Sequence, residues 1–145
     1  MTNRQFGTDG IRGPYGTDPI TPKGAEQFGL ATAAQLHALE VTGDIVLGRD
    51  TRASGSELAA AMTMGLTQGG FNVKDLGVVP SPAVAQRTLA LHNVAAGVVL
   101  TASHNPAMDN GYKLYVNGAK PSQEFEEQLA ERFQRQMEPA TSTTN

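Results

Sequence analysis

The residues best suited to chemistry gather where an apolar run ends. "GVVL" (97–100) passes straight into "TASHNP" (101–106), and the chain then crosses "AMDNG" and returns as "YKLY" (112–115). One short excursion therefore carries a hydroxyl (Ser103), an imidazole (His104) and an ammonium (Lys113). A nucleophilic oxygen, a histidine and a lysine could thus converge within one short loop. The set is not specific by itself. Ser-His pairs are common in loops, and a lone lysine is most often a solvated charge. The G-x-S-x-G elbow is absent, and no neighbouring aspartate is placed as the third member of a hydrolase triad. Local chemistry stops at a candidate loop nucleophile.

Two more segments have unusual composition. "FGTDGIRG" (6–13) sets three glycines around Thr8, Asp9 and Arg12, so that amides, a hydroxyl and a guanidinium could face an oxyanion. It could equally be a turn-rich leader. "GRDTRASG" (48–55) follows an apolar run and feeds a helix start, a favourable place for an anion, although the Gly-Lys-Ser/Thr of a P-loop is missing. The reading preferred here is an Arg/Asp network that holds the strand-to-helix turn.

These loops must be positioned by regular elements. "DIVL" (44–47) and "VAAGVVL" (94–100) are nearly all apolar, as strands covered on both faces should be, and "FNVKDL" (71–76) is a third β-type run. "YKLYV" (112–116) follows too closely for a helical crossover, so it is expected as an edge strand antiparallel to its neighbour. Tight turning is expected at Asp109-Asn110-Gly111. Helix starts are marked by Thr21-Pro22, by Ser81-Pro82, and by Ser54 and Glu57 at capping-box spacing. The first helix would bury Ala25, Phe28, Leu36 and Leu39 and stop before Gly43. A last helix starts after Ser122, with Phe125, Leu129, Phe133 and Met137 on one side and Glu124, Glu126 and Glu127 near its positive end. Strands alternating with helices predict an α/β fold with a mixed, mostly parallel, four-stranded sheet. Ligands in such sheets bind beyond the carboxyl ends of the strands, which is where Ser103 and His104 fall.

The chain has 145 residues, one domain's worth, with a net charge of −3 and no Lys/Arg cluster, which argues against a nucleic-acid partner. Without cysteine there are no disulfides and no thiolate metal sites. Apolar runs reach only about six residues, far short of a membrane span, and the first residues lack a signal peptide's apolar stretch. A cytoplasmic location is expected. After Pro139 the tail "ATSTTN" has nothing to bury and is expected to be disordered, leaving residues 1–138 as the domain.

"FGTDGIRG" with "PITP", then "GRDTRASG", "PSPAVA" and "TASHNPAMDNGYKLY" occur in an order and spacing that resembles the α-D-phosphohexomutases, most closely the N-terminal α/β/α domain of the phosphoglucosamine mutases. Two details, Thr101 and the run Tyr112 to Tyr115, look more like phosphomannomutases and phosphoglucomutases. The resemblance implies a three-layer domain I and a reaction that moves a phosphoryl group between the 6- and 1-positions of a hexose phosphate through a bisphosphate. It implies Ser103 as the phosphoserine, with His104, Lys113, Arg12 and Thr8 around the phosphoryl group and Lys113 as proton carrier. It also implies a magnesium ion that takes the Ser103 phosphate as one ligand. The family's metal loop, sugar-reading and phosphate-clamping domains have no counterpart here, and no D-x-D-x-D cluster occurs. The expectation is a first domain, completed by downstream sequence or a separate chain and inactive alone. The alternative is a non-catalytic module that binds phosphate or a partner.

Overall fold

The computed structural model describes residues 10–89 and 93–138, so Thr8 and the tail 139–145 lie outside the described residues. The elements run β1 (Ile11–Pro14), α1 (Pro22–Ala38), β2 (Asp44–Arg49), α2 (Gly55–Gln68), β3 (Val73–Val78), α3 (Ser81–Arg87), β4 (Val94–Leu100), β5 (Asp109–Tyr115) and α4 (Gln123–Met137). The two apolar runs, β2 and β4, pair in parallel at the centre of one sheet whose order is β1-β5-β4-β2-β3. Side chains alternate between two apolar layers. Ile45, Leu47, Val98 and Leu100 face a large core that includes residues of α1, α2 and α4, while Val46 and Val99 join Val84 of α3 on the other side. That arrangement is the expected mixed α/β/α stack.

The strand count differs from expectation. Ile11–Pro14 adds a fifth strand, antiparallel to β5, so β5 is flanked on both sides and is not an edge. Glycine and proline hid this strand, since both are poor β formers. Pairing with β1 also moves the turn. Asp109, Asn110 and Gly111 are already extended and matched to Pro14, Gly13 and Arg12, and the chain reverses earlier, where the Asp109 amide bonds the Pro106 carbonyl at 2.9 Å. The third strand begins at Val73, because Phe71 is buried in the turn after α2 and stacks on His37.

Helix ends are only partly as expected. Thr21 caps α1 by accepting from the Gly24 amide at 2.9 Å, and Ser122 caps α4 by accepting from Phe125 at 3.1 Å. Phe125, Leu129 and Phe133 are buried on α4, and Met137 packs half-buried against the same core. In α3 the cap position is Pro80, not Ser81, and makes no side-chain bond. Leu39 is exposed, because α1 stops at Ala38. Glu40 there takes the left-handed conformation (φ 59°), and the Glu40 and Val41 amides bond back to the carbonyls of His37 and Leu36. Gly70 (φ 101°) does the same for α2. Both are Schellman endings, one with glycine and one with glutamate in the strained seat.

α1 and α2 touch backbone to backbone. A methyl group at Gly29 would come within 2.8 Å of the Met62 carbonyl, and one at Gly65 would strike the Glu26 carbonyl. Phe28, at the centre of this layer, meets Tyr112 of β5 at 5.0 Å and Phe133 of α4 edge-on at 5.3 Å.

Candidate functional site

β2 and β4 run parallel and end together, so the loops that follow them, 50–54 and 101–108, face each other across the carboxyl edge of the sheet. They form the walls of an open cleft of about 880 Å³ that also takes in Tyr15, Glu57 and Met108. Ser103 lies on it, exposed, with φ 52°, a left-handed backbone that a residue with a Cβ rarely adopts.

That backbone is held from both sides. The Ser103 amide donates to Thr101 Oγ1 at 3.1 Å, and the Ser103 carbonyl accepts from Arg52 Nη2 at 2.7 Å. Arg52 also donates to the carbonyls of Asn105, Pro106 and Asp109 at 3.3, 2.7 and 3.2 Å. Its Nε meets Asp50 Oδ2 at 3.1 Å, and the same oxygen accepts from the Thr101 hydroxyl at 2.7 Å. One carboxylate thus organises both the arginine and the threonine that grip Ser103. The preferred reading of "GRDTRASG" as an Arg/Asp network is the observed one. An anion role for Arg52 is not, because loop carbonyls and Asp50 occupy its N–H groups.

Arg12, on β1 opposite Gly111, reaches the same loop and donates to the Ala102 carbonyl (3.2 Å) and to Asn105 Oδ1 (2.8 Å). Asn105 passes the contact on by donating to Asp109 Oδ2 at 2.9 Å. Ser54 and Glu57 do not form the expected capping box. Ser54 Oγ accepts from Asn110 Nδ2 at 2.8 Å, and Glu57 accepts a hydrogen bond from the Tyr15 hydroxyl. That bond, more than burial or plain charge repulsion, raises the Tyr15 pKa. Burial does the same far more strongly to Tyr112, whose hydroxyl donates to the Pro19 carbonyl at 2.7 Å.

The expected site residues divide. Ser103 and Arg12 are brought to one loop, and His104 is exposed on it. Lys113 is half-buried on β5, beside Val99 and on the opposite face from Tyr112 and Leu114, with Gly10 packed against it. Of these four, Ser103 alone lines the cleft. Asp50, Arg52, Asn105 and Asn110 were not singled out individually. Their partners lie 51 to 57 positions away for Arg52, and no local pattern announces such a reach. The Thr101 hydroxyl makes two hydrogen bonds, accepting from the Ser103 amide and donating to Asp50.

A sequence model of the phosphoglucomutase/phosphomannomutase α/β/α domain I matches residues 3–140. The chain belongs to that family. It is 42% identical to a phosphoglucosamine mutase of Paraburkholderia phymatum over 98% of its length, and 44% identical to one of Rhodospirillum centenum over 92%. Those alignments cover 33% and 28% of the two relatives, so the chain spans about a third of the curated relatives it matches. The crystal structure of a phosphoglucomutase/phosphomannomutase family protein from Burkholderia thailandensis superposes with a TM-score of 0.79 at 32% identity, over 93% of this chain and 31% of that one. The domain I fold and the family are thereby shown.

The magnesium ion implied by the family finds no cage here. Among the described residues no three His, Asp or Glu side chains cluster as ligands. The two aspartates beside Ser103 are engaged, Asp50 by Arg52 and Thr101, and Asp109 by Asn105. Among the described residues, no helix is long and apolar enough to cross a membrane.

Proposed function

We propose that this domain carries the phosphoryl relay of a hexose-phosphate mutase, with Ser103 as the carrier and a glucosamine phosphate as the substrate. The observation that carries the reading is the exposed Ser103 hydroxyl on a loop braced at the carboxyl edge of the sheet, where this family's domain I matches. Transfer from a hexose bisphosphate forms the Ser103 Oγ–P bond as a sugar O–P bond breaks, and the Ser103 proton leaves with the sugar oxygen. The return step reverses both. Phosphoserine carries close to two negative charges near neutrality, so cations must stand near it. Arg12 supplies one beside the loop. His104 donates to the phosphoryl oxygens, and Lys113 carries the proton of the sugar hydroxyl. Thr8 completes the phosphate contacts. The metal, when bound, would neutralise charge on the phosphoryl group, with the remaining family domains supplying its ligands.

The test joins this chain to the other domains of the Paraburkholderia phymatum phosphoglucosamine mutase, in place of that protein's own first domain. After incubation with glucosamine 1,6-bisphosphate, the phosphate is mapped by mass spectrometry. Label on Ser103, and mutase turnover abolished by Ser103→Ala, are expected. Label on Ser54, Ser56 or Ser81, or full turnover in Ser103→Ala, overturns the assignment. Lys113→Ala should lower turnover by a factor of about a hundred to ten thousand, the usual cost of losing a positioned proton carrier.

A further inference from the structure

Arg52 is heavily engaged by the loop that carries Ser103. Its side chain is 10% exposed, and it donates to four backbone carbonyls, those of Ser103, Asn105, Pro106 and Asp109. A guanidinium has five N–H donors in a rigid fork, so these contacts and the Asp50 pair engage the whole head group. A backbone segment with four carbonyls pointing inward at one cation cannot be an ordinary extended loop. It must curl, and Ser103 sits in the left-handed region at the start of the curl. The peptide before Ser103 is fixed independently by Thr101 Oγ1, which Asp50 holds in turn. Fixing the peptide planes on both sides of a residue fixes the direction of its Cα–Cβ bond. A left-handed serine is an uphill conformation, and only surrounding contacts keep it populated.

We propose that Arg52 is the positioning residue for Ser103: with Asp50 and Thr101 it imposes the left-handed backbone that turns the serine hydroxyl out to the cleft, and it makes no contact of its own with phosphate. The inference rests on the reading of Ser103 as the phosphoryl carrier for its functional meaning, though not for its structural test. Arg12 braces the same loop elsewhere, through the Ala102 carbonyl and Asn105 Oδ1, whereas Arg52 holds the Ser103 carbonyl itself. A lysine at 52 would keep the charge but present only one nitrogen, which cannot reach four carbonyls.

Backbone NMR of the 145-residue chain decides it. The Ser103 carbon shifts and its amide-to-α coupling report φ directly, and amide exchange at Ser103, Asn105 and Asp109 reports loop closure. In Arg52→Ala and Arg52→Lys, Ser103 should leave the left-handed region and those amides should exchange at least about tenfold faster. Ethylguanidinium added to Arg52→Ala should restore the wild-type signals, a rescue that general destabilisation would not show. Should the arginine variants fail to fold, Thr101→Val, which removes only the hydroxyl, should release Ser103 in the same way while Thr101→Ser keeps it. A left-handed Ser103 with unchanged exchange in the folded Arg52 variants overturns the proposal, as does an unmoved Ser103 in Thr101→Val where those variants do not fold. Absence of phosphate on Ser103 in the fusion experiment removes the relay reading and leaves this backbone result standing by itself.

Discussion

The helical layer over the sheet and the 101–109 loop at its edge are built by different forces. Beneath α1, α2 and α4 the layer is mainly apolar, with Phe28, Phe133, Leu36 and Leu129 fully buried, and its polar links are few: Gln35 of α1 donates to Gln128 and accepts from Arg132 of α4. The 101–109 loop buries almost nothing and is shaped by directional bonds from Arg52, Asp50, Thr101 and Arg12. Apolar burial scales with area and sets stability, whereas hydrogen bonds contribute little net free energy but fix geometry. Stability and loop geometry are therefore separable here, so Ser103 can be held in a left-handed backbone without endangering the fold.

The sharpest way to break that contrast is on the packed side. Phe133→Ala should cost about 3–5 kcal/mol in urea denaturation, while the Ser103 amide signals of the remaining folded protein stay where they are. A shift of those signals would show that the loop depends on the core after all. Tyr112 offers a reversible probe of the same region. Burial holds its phenol neutral well above the ordinary range. The unfolded chain ionises near pH 10, so the contribution is complete below that pH and is lost as pH rises toward the folded value. Wild type should lose roughly 1.4 kcal/mol per pH unit above about 10 beyond what Tyr112→Phe loses. Equal slopes for the two proteins would refute the assignment.

On the loop side the effects invert. Asp50→Asn should cost only about 1 kcal/mol in stability yet visibly disorder Ser103, because the carboxylate serves both of its holders. A large drop in melting temperature with an intact loop would reverse our view of that network. The smallest effect belongs to a seat remote from both regions. Glu40→Gly relieves a left-handed glutamate but loosens the unfolded chain, and should yield a net gain of about 0.5 kcal/mol. Destabilisation there would mean that Glu40 has an interaction the backbone geometry does not account for.

Much of the scaffold was legible. β2 and β4 could be read because strands covered on both faces must be apolar throughout, and Thr21 and Ser122 because caps are local. What escaped was non-local or contrary to propensity. β1 contains a glycine and a proline and exists only because β5 offers it a partner. Ser54 and Glu57 had the spacing of a capping box, but each is diverted to the cleft, to Asn110 and Tyr15. Phosphate-loop chemistry and a scaffold arginine look alike in "GRDTRASG", and only the fold shows which carbonyls the guanidinium meets. Local rules failed mostly where the chain serves the site, as expected when function overrides propensity.

The glycine contact between α1 and α2 has a mechanical consequence. Gly65 is pressed against the backbone of α1. The other end of α2 follows directly on Ser54, whose hydroxyl accepts from Asn110 at the root of β5. Over that span, roughly 16 Å at about 1.5 Å per residue, the helix is a stiff rod pinned at one end and bearing on the cleft at the other. A single added methyl at position 65 would force the pinned end outward and tilt the rod. A displacement made deep in the helical layer would then reach the wall of the cleft opposite Ser103.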